Sequence, residues 1–240
     1  MHSLPVAALH DPATLAAALS AYGVCRLSGF PDPRATLSLR TQLQDLQGNA
    51  GLQPAEVGRG EGVRLRSDIR GDSTHWLDAD SGTAASNYLA DLETLRVSLN
   101  RQLFLGMDEV EAHFACYPIG ASYQRHSDRF RDSDSRVLSL VTYLNDAWQP
   151  EHGGALRLYL PQGTVDVMPL AGTSLCFLSE IEHEVLPATR ARRVLSGRAP
   201  FLRPPLRSAP RGDGVRASPP PSLQGARGSS GETSRGVGTG

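Results

Sequence analysis

Residues 153–186 read GGALRLYLPQGTVDVMPLAGTSLCFLSEIEHEVL. Four short runs, Ala155 to Leu160, Thr164 to Val167, Ser174 to Leu178 and His183 to Leu186, are set off by the turn signals Gly153-Gly154, Pro161-Gln-Gly163 and Ala171-Gly172. Apolar runs this short, so punctuated, read as β-strands rather than helices. Working outward, His113 to Tyr117, Ser122 to His126 and Val137 to Leu144 come before them and Arg193 to Ser196 comes after, making eight strands. The N-terminal part follows another grammar. Asp11-Pro12 pairs an N-cap with a proline at the first helical position, opening a helix to Tyr22. Pro33 opens a second helix, carrying Leu37, Leu39 and Leu43, and between the two helices Tyr22 to Leu27 alternates like a strand. Residues 48–62 read as a Gly-rich loop. From Thr83 to Phe104, Leu89, Leu92, Leu95, Leu99 and Leu103 recur at spacings of three and four, the stripe of a long amphipathic helix. Eight closely spaced strands behind a helical start predict an α+β fold with a double-stranded β-helix (jelly-roll) core over about 113–197, buttressed by the N-terminal helices.

Composition narrows the functional classes. The chain has 240 residues, 40% of them apolar, which suits one domain of residues 1–197 with an appendage. No run approaches the roughly 18 apolar residues of a membrane span, and MHSLPVAALHDP lacks the basic and apolar regions of a secretory signal. Cys25, Cys116 and Cys176 lie scattered in apolar stretches, which points to reduced thiols in a cytoplasmic protein, not to disulfides or a zinc site. The net charge of −1 hides a division: residues 1–189 carry 14 Arg against 23 acids, residues 190–240 carry 10 Arg against 2. All 24 basic residues are arginine, a compositional habit and not a chemical signal. An acidic folded part argues against a nucleic-acid partner, which would demand a basic face. Of residues 198–240, 21 are Gly, Pro or Ser, so this segment reads as a disordered Arg/Pro/Gly/Ser-rich tail.

The chemistry is carried by His126-Ser-Asp128, followed 55 residues later by His183. On a strand, residues i and i+2 share a face, so His126 and Asp128 can hold one ion together. A second histidine completes a two-His, one-carboxylate triad, the set that suits Fe(II) because it leaves coordination positions open. Alone, the pair reads equally as a surface histidine beside an acid. Arg192, nine residues after His183, offers a fixed guanidinium for a cosubstrate carboxylate. Arg190 and Arg193 flank it, and spacing distinguishes the three only modestly. Ser139, Val141 and Tyr143 alternate onto one strand face that could line a pocket, and Tyr123 is a further pocket candidate.

His126-x-Asp128, Tyr143-Leu-Asn, Trp148, Gly153-Gly-Ala-Leu-Arg-Leu-Tyr159, Pro169-x-x-Gly172, Phe177 and His183-Glu-Val-x-Pro together resemble the Fe(II)/2-oxoglutarate-dependent prolyl 4-hydroxylases. Asp68-Ile-Arg-Gly-Asp72 with Trp76, and Ala115-Cys-Tyr117-Pro, are similar to the hydroxylases of hypoxia-inducible factor and their bacterial relatives. The resemblance spans roughly residues 10–197. It implies His126, Asp128 and His183 as iron ligands and catalytic centre, Arg192 and Tyr143 on the distal carboxylate of 2-oxoglutarate, and Tyr117 and Leu156 lining the cosubstrate pocket. It further implies Fe(2+), with 2-oxoglutarate and O2 as cosubstrates and ascorbate as an optional addition, and hydroxylation of a protein prolyl residue at C4 with release of succinate and CO2. Elongation factor Tu is a candidate substrate if the source is bacterial. Arg70 and Asp72, in a turn by the substrate entrance, and Arg136 are candidate substrate contacts; without the family, the Arg70–Asp72 pair reads as a surface turn with a local ion pair. One departure stands out: Arg198-Ala-Pro occupies the place of an expected Trp-Phe pair. The switch there is that of a shifted reading frame or of a divergent tail. Three alternatives follow: an impaired jelly roll binding metal or peptide without turnover, an oxygenase of a free amino acid or other side chain, and a cupin-type dioxygenase needing no distal arginine. Binding of nucleic acid by the basic tail is a weaker fourth.

Overall fold

The computed structural model describes residues 3–57, 64–65, 69–78, 80–129 and 136–200. The N-terminal half runs β1 (Val6–Ala8), α1 (Pro12–Tyr22), β2 (Val24–Ser28), α2 (Pro33–Gly48), β3 (Gln53–Pro54), β4 (Glu56–Val57), β5 (Arg64–Leu65), β6 (Ser73–Trp76) and α3 (Thr83–Leu103). The C-terminal half is strands: β7 (Glu111–Tyr117), β8 (Tyr123–His126), β9 (Arg136–Tyr143), β10 (Leu156–Leu160), β11 (Gly163–Val167), β12 (Ser174–Leu178), β13 (His183–Val185) and β14 (Arg192–Pro200). No helix among the described residues is long and apolar enough to cross a membrane.

The helices begin where their caps dictate. The Asp11 carboxylate accepts from the Thr14 amide at 3.1 Å, and Asp32 accepts from Arg34 and Ala35 at 2.7 and 2.9 Å, each just ahead of a helix-opening proline. The α1 helix stops at Gly23, whose left-handed φ of 72° a side chain would strain.

Eight strands form the larger sheet in the order β1-β2-β12-β9-β14-β7-β6-β3, and four form a smaller one, β11-β10-β13-β8. Strand β14 lies antiparallel between β7 and β9, with Val194 opposite both Ala115 and Tyr143. Alternation then sorts the side chains. Phe114, Leu140, Leu195 and Cys176 pack toward the helices with Tyr88, Leu92 and Leu99, while Tyr117, Tyr143, Val194 and Phe177 face the smaller sheet with Leu156 and Leu158. The helices thus cover one face of the larger sheet, and the two sheets enclose the site. A buried hydroxyl chain pins α3 to the larger sheet: Tyr88 Oη meets Thr142 Oγ1 at 2.9 Å, Thr142 meets Ser174 Oγ at 2.6 Å, and Ser174 donates to the Phe30 carbonyl at 2.8 Å.

All eight expected strands and all three helices are present. Strand β14 continues to Pro200, three residues past Gly197, where the sequence pattern stops; residues 201–240 of the expected tail lie outside the described residues. Within the expected 48–62 loop the chain instead pairs β3 with β6 and β4 with β5. β1 and β6 were likewise not expected. These pieces are two to four residues long, too short for periodicity, and β1, β3 and β6 are strands because an existing sheet offers them backbone partners. Phe114 is fully buried at 0% exposure between sheet and helices. Phe114→Ala is expected to lower unfolding free energy by about 3–5 kcal/mol, read as a reduced urea midpoint at unchanged slope.

Candidate active site

A cavity of about 550 Å³, including its open mouth, lies between the two sheets. Its walls bring together nearly every residue the sequence singled out: His126, Asp128 and His183 on one side, Arg192, Tyr117, Tyr143 and Leu156 at one end, and Arg70 near Tyr123.

The trio that could hold a metal ion is assembled by strand pairing. His183 on β13 stands opposite His126 on β8, placing the ring centroids 4.3 Å apart. Asp128 follows two residues later, in a bend beyond the end of β8, so it reaches His126 through the turn and not through the same-face geometry of a strand. Ligand atoms of all three lie within 4.8 Å of one another. Each imidazole is oriented by its own chain: His126 Nδ1 lies 2.7 Å from the Gln124 carbonyl, and His183 Nδ1 lies 2.9 Å from the Ile181 carbonyl. A carbonyl only accepts, so both Nδ1 atoms carry the proton and both Nε2 lone pairs are left for an ion. Burial, reinforced by the neighbouring His183, pushes the His126 pKa down to about 4, so the ring is neutral as a ligand requires. The Nε2 atoms of His126 and His183 stand 3.9 Å from the Oδ1 and Oδ2 atoms of Asp128. Two imidazoles and one carboxylate at this spacing fit Fe(II).

At the end of the cavity, Arg192 is only 2% exposed. Its Nη1 donates to the Gly154 carbonyl at 2.7 Å, its guanidinium lies 4.1 Å from the centre of the Tyr117 ring, and its Nη2 has no hydrogen-bond partner. Burial disfavours the charge and pulls its pKa down, with Tyr117 and Tyr143 opposing that shift. Among the described residues no carboxylate forms an ion pair with it. A buried cation with an unsatisfied donor aimed into a cavity is a receptor for an anion, and 2-oxoglutarate fits it. Arg190 is exposed, and Arg193 donates to Gln47 Oε1 at 2.9 Å, so Arg192 alone of the three arginines serves the cavity.

Arg70 and Asp72 do not form the exposed turn that their sequence suggests. Asp72 is 3% exposed, and Arg70 grips it with two bonds of 2.6 and 2.9 Å. The guanidinium also lies 3.4 Å from His113 Nε2 and 5.2 Å from the Tyr123 ring, which stacks on His126 at 3.6 Å. The pair is drawn inside because Arg70 bridges to Tyr123 on β8 and the next residues join β6. Arg136 reaches the Asp128 carbonyl at 3.5 Å and Glu111 at 3.7 Å.

Sequence reasoning put Ser139 on the pocket face and gave it no role; its Oγ donates to Asp128 Oδ2 at 2.6 Å and contacts Ser179 Oγ at 2.9 Å. Ser179 carried no sequence signal. His113, buried in the wall beside Arg70, was read only as the start of a strand.

The profile of the 2OG-Fe(II) oxygenase superfamily matches residues 112–197. The chain is 30% identical over 186 residues to the prolyl hydroxylase EGLN3 of Mus musculus, covering 72% of this chain and 77% of that one. A Pseudomonas putida prolyl-4-hydroxylase structure is 40% identical and superposes with a TM-score of 0.74, covering 80% of this chain and all (100%) of that one. A Trichoplax adhaerens prolyl hydroxylase, solved with a peptide fragment of the hypoxia-inducible factor oxygen degradation domain, is 25% identical with a TM-score of 0.72, over 80% of this chain and 90% of that one.

Removing one partner of a buried ion pair strands the other charge. Asp72→Ala is therefore expected to destabilise the protein by about 3–5 kcal/mol, and Asp72→Ala with Arg70→Met by much less, both measured by urea denaturation. An effect of Asp72→Ala under 1 kcal/mol would mean that the pair is solvated, as an exposed turn would be.

Proposed function

We propose that this chain, which belongs to the prolyl hydroxylases of the 2OG-Fe(II) oxygenase superfamily, hydroxylates a prolyl residue of a protein at C4. One observation carries the reading: an Fe(II)-type trio shares a cavity with a buried arginine whose Nη2 has no partner. Together they match an ion and a dicarboxylate cosubstrate at once.

His126, Asp128 and His183 would hold the iron, and Arg192 with Tyr143 would hold the distal carboxylate of 2-oxoglutarate. When bound, iron(II) supplies the activation of dioxygen, coupling decarboxylation of 2-oxoglutarate to succinate and CO2 with insertion of one oxygen atom into the substrate C–H bond. The protein contributes orientation and exclusion of water. Arg192 fixes the direction of the cosubstrate through a guanidinium that is already desolvated, so little reorganises when the anion arrives. Tyr117 and Leu156 wall that end; burial pushes the Tyr117 and Tyr143 hydroxyls up, so both stay protonated and can donate. The backbone carbonyls behind His126 and His183 keep both imidazoles presented as acceptors. Arg70, in the wall near His126, and Asp72, its ion-pair partner behind it, are the proposed substrate contacts. Arg136 belongs to the same group through its reach to the Asp128 backbone.

Against an inactive module stand the complete trio and β14, which stays paired to Pro200 despite the Arg198-Ala-Pro departure. For the substrate, the peptide bound in the Trichoplax structure supports a prolyl segment of a protein. Elongation factor Tu is a candidate if the source is bacterial, the cytoplasm is the proposed location, and ascorbate the proposed reductant keeping iron in the ferrous state.

The test is succinate release from 2-oxoglutarate by Fe(II)-loaded protein, with proline-containing peptides and candidate proteins, and mass spectrometry of the product. We expect prolyl-dependent succinate, its loss in Asp128→Ala, and a KM for 2-oxoglutarate raised at least about tenfold in Arg192→Lys, since a lost charge-assisted bond costs roughly 1.5–3 kcal/mol. Substrate oxidation without succinate would overturn the reading in favour of a dioxygenase that needs no cosubstrate.

A further inference from the structure

We propose that Ser139 is a positioning residue for the carboxylate of Asp128, and that the Ser179–Ser139 hydroxyl pair selects which carboxylate oxygen a metal ion receives. The inference rests on reading His126, Asp128 and His183 as a metal site. It starts from a weakness of that site: Asp128 lies beyond the end of β8, where no strand ladder fixes it. The two histidines do not choose between its oxygens either, since Oδ1 faces one Nε2 and Oδ2 the other at the same 3.9 Å.

The serines break that symmetry. Ser139 Oγ donates to Oδ2 at 2.6 Å. Its one proton is thereby committed, so in the 2.9 Å contact with Ser179 the donor is Ser179. The order from Ser179 through Ser139 to Asp128 follows from the inventory of protons, and each bond polarises the next. Both serines are buried, so bulk water does not compete for either hydroxyl. The backbone closes a ring around the same atoms. Arg129, the neighbour of Asp128, donates its amide to the Ser179 carbonyl at 2.9 Å, and the Ser179 amide donates to Val137 on β9 at 3.0 Å. The end of β12, the start of β9 and the bend after β8 therefore meet at one carboxylate.

A hydrogen bond at Oδ2 draws electron density from that oxygen and occupies one of its lone pairs. Oδ2 becomes the poorer ligand, and binding through one oxygen is favoured over binding through two. Coordination positions that a two-oxygen carboxylate would fill stay available to the cosubstrate.

The test uses Co(II) as a probe for the metal-free full chain under anaerobic conditions, reading its dissociation constant and its visible d–d spectrum, with no turnover required. Ser139→Thr and Ser139→Val add the same bulk, so their difference isolates the hydroxyl; Ser139→Ala serves if the larger side chains are not accommodated. Supporting groups of metal ligands typically contribute about 10–100-fold in affinity. We expect Ser139→Thr to stay within about threefold of the parent, and Ser139→Val and Ser139→Ala to weaken Co(II) binding at least about tenfold with an altered d–d band. Equal affinity and identical spectra for the Thr and Val variants, or an Ala variant that matches the parent, would overturn the proposal. Absence of Co(II) binding by the parent would instead overturn the metal-site reading beneath it.

Discussion

The antiparallel ladder that joins β14 to β7 on one side and β9 on the other decides the rest of the molecule. Arg192 pairs with Tyr117, Val194 with Ala115 and Tyr143, and Ser196 with His113 and Val141, so every second residue of three adjacent strands points between the sheets. The intervening residues, Phe114, Leu140 and Leu195 among them, point toward the helices. A shift of one residue would exchange the two sets, exposing a leucine core to the cavity and turning the guanidinium of Arg192 into the helix layer. The greasy face under α3 is therefore what holds the polar face in place. Site and core are two sides of one hydrogen-bonded surface.

The cavity holds two arginines, Arg192 buried and Arg70 half-buried, in opposite electrostatic conditions. Arg70 is neutralised within the chain by Asp72, at the short distances of a two-point contact, and is complete without a ligand. Arg192 has a carbonyl and an aromatic face but no ion-pair partner among the described residues, and one of its nitrogens has nothing to donate to. Desolvating a charge without pairing it destabilises the protein alone, and the cost is recovered when a dianion arrives. The contrast separates a cation already paired within the chain from one left to receive an anion more clearly than sequence position does.

Much of this was legible in the chain, and the reasons are particular. Eight strands announced themselves because turn residues frame them, α1 because an Asp-Pro pair caps it, and α2 because Pro33 opens it. The trio was legible by spacing, although the argument that His126 and Asp128 share a strand face was wrong in detail: β8 ends at His126, and the bend does the work. Arg192 stood out only against Arg190 and Arg193, and burial separated them. The exposed-turn reading of Arg70 and Asp72 failed because nothing local says that a turn will be covered; that depends on Tyr123, more than fifty residues away. Ser139 and Ser179 illustrate the same limit. A serine on a strand is ordinary, and its meaning comes from a carboxylate brought to it by another segment.

Both candidate ligand histidines share a small motif: the ring proton of each goes to the carbonyl two residues upstream on its own backbone, Gln124 for His126 and Ile181 for His183. The tautomer of each ring is thus written into three consecutive residues and does not depend on any distant side chain. Both Nε2 atoms therefore stay presented to the cavity as long as β8 and β13 remain neighbours. The nitrogen half of the candidate site thus rests on local backbone, while its carboxylate is held by a side chain from another strand, Ser139.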